Sequence, residues 1–234
     1  MKFSDRLDMI CENLSFDLDT DQVEKLKKYK ELLLAWNEKM NLTAIVDEQA
    51  IIVKHFIDSM LPASLFTEGK VIDVGTGAGF PIVPLKILKP ELDVWGLDAL
   101  NKRITFLEEV REELGIELNL IHGRAEEYAK KDVSRETFEF ATSRAVAPLN
   151  ILAEYNLPFL KVGGNFVAYK GSNYKEEISD GESALKVLGG EIEDVFQYKL
   201  PVTEEQRFAI IIKKVFKTPA KYPRKPGIPK KRPL

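Results

Sequence analysis

The second half of the chain alternates short apolar runs with segments whose apolar residues recur every three or four positions. Such runs predict strands, and the longer period predicts helices. We predict strands at 70–74, 93–98, 117–121, 137–142 and 164–169, and helices at 79–89, 101–114, 124–130, 148–160 and 174–188. Two further apolar runs, 191–199 and 207–215, flank Pro201 and predict an antiparallel hairpin. Alternating strands and helices imply a mostly parallel seven-stranded α/β sheet.

The residues before this alternation are helical in pattern. Apolar positions at helical spacing predict helices over 3–14, from Asp19 or Thr20 to 39, and from Asp47 to 60. We interpret 1–66 as a helical cap on a domain of residues 67–217. Residues 218–234 contain five prolines, which exclude a helix or a central strand, so they form either an arm lying on a surface or a tail.

Composition narrows the class of protein. Hydrophobic residues make up 44% and charged residues 30%, as in ordinary globular domains. One cysteine, Cys11, and two histidines make a metal site an unpromising interpretation. The N-terminus is too acidic for a signal peptide, and no apolar run approaches the roughly 18 residues that span a membrane. We therefore expect a cytoplasmic protein with no membrane partner and no metal.

Charge is distributed unevenly although the net charge is only −3. Residues 213–234 hold nine of the 34 Lys and Arg residues and none of the 37 Asp and Glu residues. A basic segment on an acidic body is typical of a local phosphate-binding arm. A disordered solubilising tail has the same composition, and charge alone does not separate the two.

The stretch Lys70–Pro81, KVIDVGTGAGFP, carries the clearest chemistry. Asp73 ends a predicted strand, and Gly75, Gly77 and Gly79 follow at alternate positions, which lets a ligand approach the backbone closely. The pattern is not the dinucleotide fingerprint, because Phe80 takes its third glycine position, and it is not a P-loop. It resembles motif I of the Rossmann-like class I S-adenosylmethionine methyltransferases, which implies that fold and that cofactor.

Acidic residues at strand ends would complete a nucleoside site. Asp98 ends the second strand and can accept both ribose hydroxyls, although a helix cap is an alternative. Asp73 would meet the methionine ammonium, directly or through water, or cap the loop amides. Ala125 and Glu126 follow the third strand and would border the adenine.

The loop after the fourth strand, residues 142–148, indicates the substrate by what it lacks. It has no Asn/Asp-Pro-Pro-aromatic sequence for an exocyclic amine and no cysteine for attack on a pyrimidine. A ring nitrogen with a free lone pair, such as guanine N7, needs placement and no general base. Arg144 would position guanine O6 or a phosphate, or it makes an ion pair within the loop.

Several motifs, in order, resemble one family. The chain is similar to the bacterial small-subunit ribosomal RNA methyltransferase G family, also called glucose-inhibited division protein B. The motifs are Trp36-Asn37, Asn41-Leu42-Thr43-Ala44, His55-Phe56 with Asp58-Ser59, DVGTGAGFP at 73–81, Leu97-Asp98, Lys102-Arg103, Phe106-Leu107, Gly123-Arg124-Ala125-Glu126, Ser143-Arg144-Ala145-Val146-Ala147 and Tyr222-Pro223-Arg224-Lys225-Pro226-Gly227.

This resemblance implies N7 methylation of one guanine in 16S ribosomal RNA with S-adenosylmethionine as cofactor. It places Gly75, Phe80, Ala125, Glu126 and Arg144 at the cofactor. The chain departs from the family at two positions. Ile82 stands where the family continues with glycine, and Ala99 stands beside the cofactor site where the family has serine.

The combined expectation is a monomeric enzyme whose partner is 16S ribosomal RNA or the small ribosomal subunit. Arg144 is the positioning residue, and no general base is expected. The candidate ligands of RNA phosphates are Arg103, Arg124, Lys170, Arg224 and Lys225. The alternatives are a methyltransferase for another substrate and a cofactor-binding ribosome-assembly factor without chemistry.

Overall fold

A seven-stranded sheet forms the centre of the molecule. The computed structural model describes residues 2–12 and 14–234. The strands are β1 (Lys70–Val74), β2 (Asp93–Asp98), β3 (Asn119–His122), β4 (Phe138–Arg144), β5 (Leu160–Lys170), β6 (Gly190–Lys199) and β7 (Gln206–Lys214). Their order is β3-β2-β1-β4-β5-β7-β6. Strand β7 is antiparallel to both of its neighbours, β5 and β6, and all other neighbouring pairs are parallel. The predicted α/β fold with a terminal hairpin is confirmed.

Helices cover both faces of the sheet. Those of the first 66 residues are α1 (Phe3–Cys11), α2 (Thr20–Asn37) and α3, which is α-helical over Glu48–Ile51, π-helical over Ile52–Ile57 and α-helical again over Asp58–Met60. Those that follow are α4 (Ile82–Leu88), α5 (Asn101–Leu114), α6 (Ala125–Tyr128), α7 (Leu149–Asn156), α8 (Tyr174–Leu188) and α9 (Ile228–Lys231). None of the helices described is long and apolar enough to cross a membrane.

Local chemistry sets several of these boundaries. Asp19 accepts the N–H of Gln22 at 2.8 Å, and the Gln22 side chain accepts the N–H of Asp19 at 3.0 Å, a capping box that starts α2. Helix α1 ends at Cys11 and not at 14; residue 13 lies outside the described part. Helix α4 begins at Ile82, later than predicted, because residues 79–81 still belong to the glycine turn.

The three N-terminal helices share a hydrophobic core with one face of the sheet. Tyr29 of α2 is fully buried, with its ring 5.5 Å from that of Phe56 and 5.3 Å from that of Phe80. Its hydroxyl donates to the carbonyl of Ala78, inside the glycine loop. The side chain of Gln22 donates to the carbonyl of Ile87 at 3.0 Å. Helix α2 therefore supports the glycine loop directly.

The C-terminal residues lie on the surface as an arm. Arg135 donates to the carbonyls of Tyr222 and Thr218 at 2.9 and 2.7 Å. Arg224 donates to the buried carboxylate of Glu154 from Nε at 3.0 Å and from Nη2 at 2.6 Å. Its backbone N–H donates to the same carboxylate at 2.7 Å. These bonds hold residues 218–224 against the body of the protein, and we continue to interpret 218–234 as an arm.

Candidate active site

An open cavity of about 1200 Å³ lies at the carboxyl ends of β1, β2, β4 and β5. The strand order reverses between β1 and β4, and open α/β sheets bind their ligands at such a reversal. The glycine loop forms one wall. Helix α3 and the β6–β7 hairpin form the opposite wall through Lys54, His55, Asp58, Tyr198 and Arg207.

The glycine loop is held to the end of β2. Gly75 and Thr76 donate their N–H groups to the carbonyl of Leu97 at 2.8 and 3.1 Å, and Gly77 donates to Asp98 Oδ2 at 3.0 Å. Gly77 has φ of +59°, and a Cβ there would meet only the carbonyl oxygen of Gly75, at 3.9 Å. The space over Gly77 is thus open to a ligand.

Asp73 is the least satisfied polar group of the site. Its side chain is fully buried at the end of β1, and neither carboxylate oxygen has a hydrogen-bond partner within the described part of the chain. Burial raises the pKa of this carboxyl to about 8. A buried acceptor without a donor is costly, so a cationic ligand with N–H donors would relieve it. The ammonium group of S-adenosylmethionine fits this requirement.

Asp98 organises the neighbouring loop backbone. Its Oδ1 accepts the N–H of Leu100 at 2.8 Å, and its Oδ2 accepts Gly77 and Arg103 Nη1, the latter at 3.2 Å. The residue is 3% exposed and lines the cavity beside Ala99. Asp98 is therefore not a solvated helix cap, because it is buried and the N-cap of α5 is Leu100, which has no side-chain cap bond. Its bonds tie the loop after β2 to the glycine loop, at the edge of the cavity.

Arg144 extends from the end of β4 into the cavity and is anchored at one nitrogen. Its Nη1 donates to Asp58 Oδ2 at 3.0 Å and, more weakly, to the carbonyls of Lys54 and His55 at 3.4 and 3.5 Å. The guanidinium lies 5.1 Å from the ring centre of Phe80. Its Nε and Nη2 have no acceptor among the described residues, so they are available to a ligand.

Asp58 connects Arg144 to the terminal hairpin. Its Oδ1 accepts the hydroxyl of Tyr198 at 2.9 Å and lies 3.8 Å from Arg207 Nε. The Tyr198 and Arg207 side chains come from β6 and β7, and no motif in the sequence singles them out. The resemblance does include Asp58, and its place one helical turn from His55 is the signal that could have found it.

His55 is a neutral, packed side chain. Its ring lies 4.4 Å from that of Phe80, and Nε2 lies 2.8 Å from the Thr43 hydroxyl. Burial, with the nearby charge of Arg144, lowers the pKa of His55 to about 3. Ser59 donates to the carbonyl of His55 at 2.5 Å and not to its ring, so these residues form no catalytic triad.

Other predicted ligands lie elsewhere or are engaged. Ala125 and Glu126 are not among the residues that line the described cavity, and Glu126 accepts the N–H of Gly227 at 3.0 Å. Lys170 donates to the carbonyl of Ala147 at 3.0 Å and to Glu177 at 2.5 Å.

The five expected phosphate ligands differ in accessibility. Arg124 and Lys225 are exposed, and Arg103 is partly exposed beside Asp98. Arg224 is bound to Glu154 and Lys170 is 7% exposed, so both stabilise the fold at these positions. We therefore do not propose Arg224 and Lys170 as ligands of RNA phosphates.

Comparison with known proteins agrees with this geometry. The model of the family described as rRNA small subunit methyltransferase G matches residues 22–207. A protein named ribosomal RNA small subunit methyltransferase G from Alkaliphilus metalliredigens is 50% identical over 228 residues, covering 96% of this chain and 95% of that protein. One of the same name from Thermoanaerobacter pseudethanolicus is 52% identical over 221 residues, covering 93% and 92%.

Solved structures show the same fold at low identity. A S-adenosylmethionine-dependent methyltransferase from Aquifex aeolicus has a TM-score of 0.54 at 16% identity, covering 78% of this chain and 98% of that one. A variant of the branched-chain polyamine synthase from Thermus thermophilus has a TM-score of 0.55 at 14% identity, covering 82% and 64%. The shared architecture thus serves more than one reaction.

Proposed function

Since the chain belongs to the rRNA small subunit methyltransferase G family, we propose that it methylates N7 of one guanine in 16S ribosomal RNA with S-adenosylmethionine. The observation that supports this most directly is the pairing of two features in one cavity. Among the described residues, the buried Asp73 carboxyl has no hydrogen-bond partner there, and Arg144 Nε and Nη2 have no acceptor. The first suits an amino-acid ammonium, and the second suits an oxygen acceptor on a base.

The cofactor would lie along the glycine loop. Asp73 would accept the methionine ammonium, and Gly77 would let the chain of the cofactor pass close to the backbone. Asp98 would accept the ribose hydroxyls while it keeps its bonds to Leu100 and Gly77. When bound, S-adenosylmethionine supplies an electrophilic methyl group on a sulfonium, whose transfer leaves a neutral thioether.

The other wall of the cavity would position the base. Arg144 is fixed by Asp58 and by the ring of Phe80, so its Nε and Nη2 point from a rigid support and can bind guanine O6. Guanine N7 has a lone pair and loses no proton on methylation, so placement suffices. His55 is a weak base because its pKa is about 3, which agrees with a reaction that needs no proton acceptor.

Contacts to RNA phosphates are proposed for three of the predicted residues. Arg124 and Lys225 are exposed, and Arg103 is partly exposed at the cavity. Such contacts provide affinity without sequence information. In this proposal the enzyme acts as a monomer in the cytoplasm, where its substrate is found.

Methyl transfer to small subunits provides the test. Subunits from a strain that lacks the gene should take up labelled methyl groups from S-adenosylmethionine in 16S RNA, and cleavage chemistry specific for N7-methylguanine should cut the labelled RNA. Subunits from the parent strain, which already carry the modification, are the matched control and should take up no label. A protein that binds the cofactor but labels neither set would support an assembly factor without chemistry. Label in RNA that resists the cleavage would exclude N7.

A further inference from the structure

The mouth of the cavity carries two cations bridged by one carboxylate. Lys54 of α3 and Arg207 of β7 line the cavity, and Glu205 forms an ion pair with each of them. Lys54 Nζ is 2.6 Å from Glu205 Oε1, and Arg207 Nη2 is 2.6 Å from Glu205 Oε2. The side chains of Lys54, Arg207 and Glu205 are 35%, 26% and 35% exposed, so solvent reaches the whole bridge.

The two sides of the mouth differ in charge. On the α3 and β7 side, Arg144 and Arg207 lie next to the Asp58 carboxylate, and Lys54 and Arg207 pair with Glu205. These three cations outnumber the two carboxylates. On the second side, at the end of β5 and the start of α8, Lys170 is paired with Glu177, and the exposed Glu176 and Asp180 also line the cavity. An anionic polymer is therefore attracted to the first side and repelled from the second.

Glu205 can leave this position without unfolding the turn that carries it. The turn between β6 and β7 is closed by backbone bonds, from Leu200 N–H to the carbonyl of Glu205 and from Glu204 N–H to the carbonyl of Leu200, both at 3.0 Å. The Glu205 side chain takes no part in these bonds. Its carboxylate presents two oxygens to an ammonium and a guanidinium, which is how a phosphodiester presents its two free oxygens.

We propose that Lys54 and Arg207 form a binding site for one phosphodiester of the RNA beside the methylated nucleotide, and that Glu205 occupies this site in the free protein and is displaced by RNA. The proposal rests on an RNA substrate, as argued above. In this proposal Glu205 competes with the RNA phosphate for Lys54 and Arg207. Removing its carboxylate should therefore tighten RNA binding, whereas removing a merely structural ion pair would not.

Two single variants and one control test the site. The full-length protein is titrated with an unmodified 16S RNA transcript at several KCl concentrations. Glu205→Gln should tighten binding about threefold to fivefold, because the carboxylate no longer competes for two exposed cations. Lys54→Gln should weaken RNA binding. It should also reduce, by about one, the slope of the logarithm of the binding constant against the logarithm of the KCl concentration, called the salt slope below. Glu204→Gln changes the net charge equally in the same turn. Within the described part of the chain, the Glu204 carboxylate forms an ion pair only with the exposed Lys199, so this control should alter affinity less than twofold.

Each result decides between the two roles of Glu205. Binding by Glu205→Gln that equals or is weaker than binding by Glu204→Gln would overturn the proposal, as would an unchanged salt slope in Lys54→Gln. Cofactor affinity, measured by calorimetry, should be the same in all three variants as in the unaltered protein. That result would confirm that the variants are folded. If the unaltered protein neither binds nor methylates the transcript or small subunits, the RNA substrate itself is wrong. If the unaltered protein is active but Glu205→Gln behaves as the control does, only the phosphate site is wrong.

Discussion

Replacing Arg224 by alanine should destabilise the whole protein, although the residue lies only ten positions before the last residue of the sequence. Its partner Glu154 is 1% exposed, so the substitution leaves a buried carboxylate without its counter-charge. Removing one partner of a buried ion pair costs about 3–5 kcal/mol. The backbone N–H at position 224 would still donate to Glu154, as it does at 2.7 Å, so we expect the lower end, about 3 kcal/mol.

Urea unfolding followed by far-ultraviolet circular dichroism measures this loss. With a slope of about 3 kcal/mol per molar urea, the midpoint should fall by about 1 M. Lys225→Ala removes the adjacent, exposed cation and should change the free energy of unfolding by about 0.5 kcal/mol or less.

A second variant separates the ion pair from the rest of the arm. The double substitution Arg224→Met with Glu154→Met removes both charges, and it should recover most of the stability lost by Arg224→Ala. Equal midpoints for Arg224→Ala and Lys225→Ala would refute the docked arm and restore the interpretation as a tail.

Four further changes test the site. Gly77→Val should abolish S-adenosylmethionine binding in calorimetry with little loss of secondary structure, because its side chain would enter the open space over the loop and φ is +59° there. Burial raises the pKa of Asp73 to about 8, above its unfolded value of 3.8, so this group lowers the free energy of unfolding of the cofactor-free protein as pH rises from about 4 to about 8. Asp73→Asn should remove this contribution to the fall of the free energy of unfolding with pH, as measured by urea titrations. It should also weaken cofactor binding about tenfold or more. Arg144→Lys should lower kcat/KM for methyl transfer about 100-fold while cofactor affinity changes less, because an ammonium cannot bind Asp58 and a base together as the planar guanidinium does. Lys225→Ala should reduce the salt slope of RNA binding by about one, and an unchanged slope would remove it from the RNA surface.

Local pattern predicts this fold well because its elements follow short-range rules. The glycine loop, the strand and helix alternation and the hairpin are each specified within a few neighbouring residues, and all appear in the sheet order. Helix α3 is the exception in detail, since residues 52–57 form a π-helix that no periodicity indicates. A π-helical segment often occurs at a functional site, and this one carries Lys54 and His55.

Contacts between distant residues are what the sequence could not predict. Nothing near Arg224 in the chain indicates Glu154, which lies 70 positions away, so charge composition alone suggested an RNA ligand. Glu126 was expected at the adenine, but its carboxylate accepts Gly227 N–H from the arm, 101 positions away. In both cases a carboxylate accepts hydrogen bonds from the C-terminal arm, which is distant in sequence, and only the tertiary structure shows the pairing.

In the proposed function, the two walls of the cavity divide cofactor binding from substrate choice. The glycine loop and Asp98 come from β1 and β2, elements of the architecture shared with proteins as different as a methyltransferase and a polyamine synthase. The opposite wall is assembled from α3, the end of β4 and the β6–β7 hairpin, through Asp58, Arg144 and Arg207. Helix α3 belongs to the segment that the sequence assigns to the cap, yet it supplies the carboxylate that anchors Arg144. We therefore do not expect residues 1–66 to be a detachable cover, because without α3 Arg144 would keep its contact with Phe80 but lose its ion pair with Asp58, and the proposed phosphate site would lose Lys54.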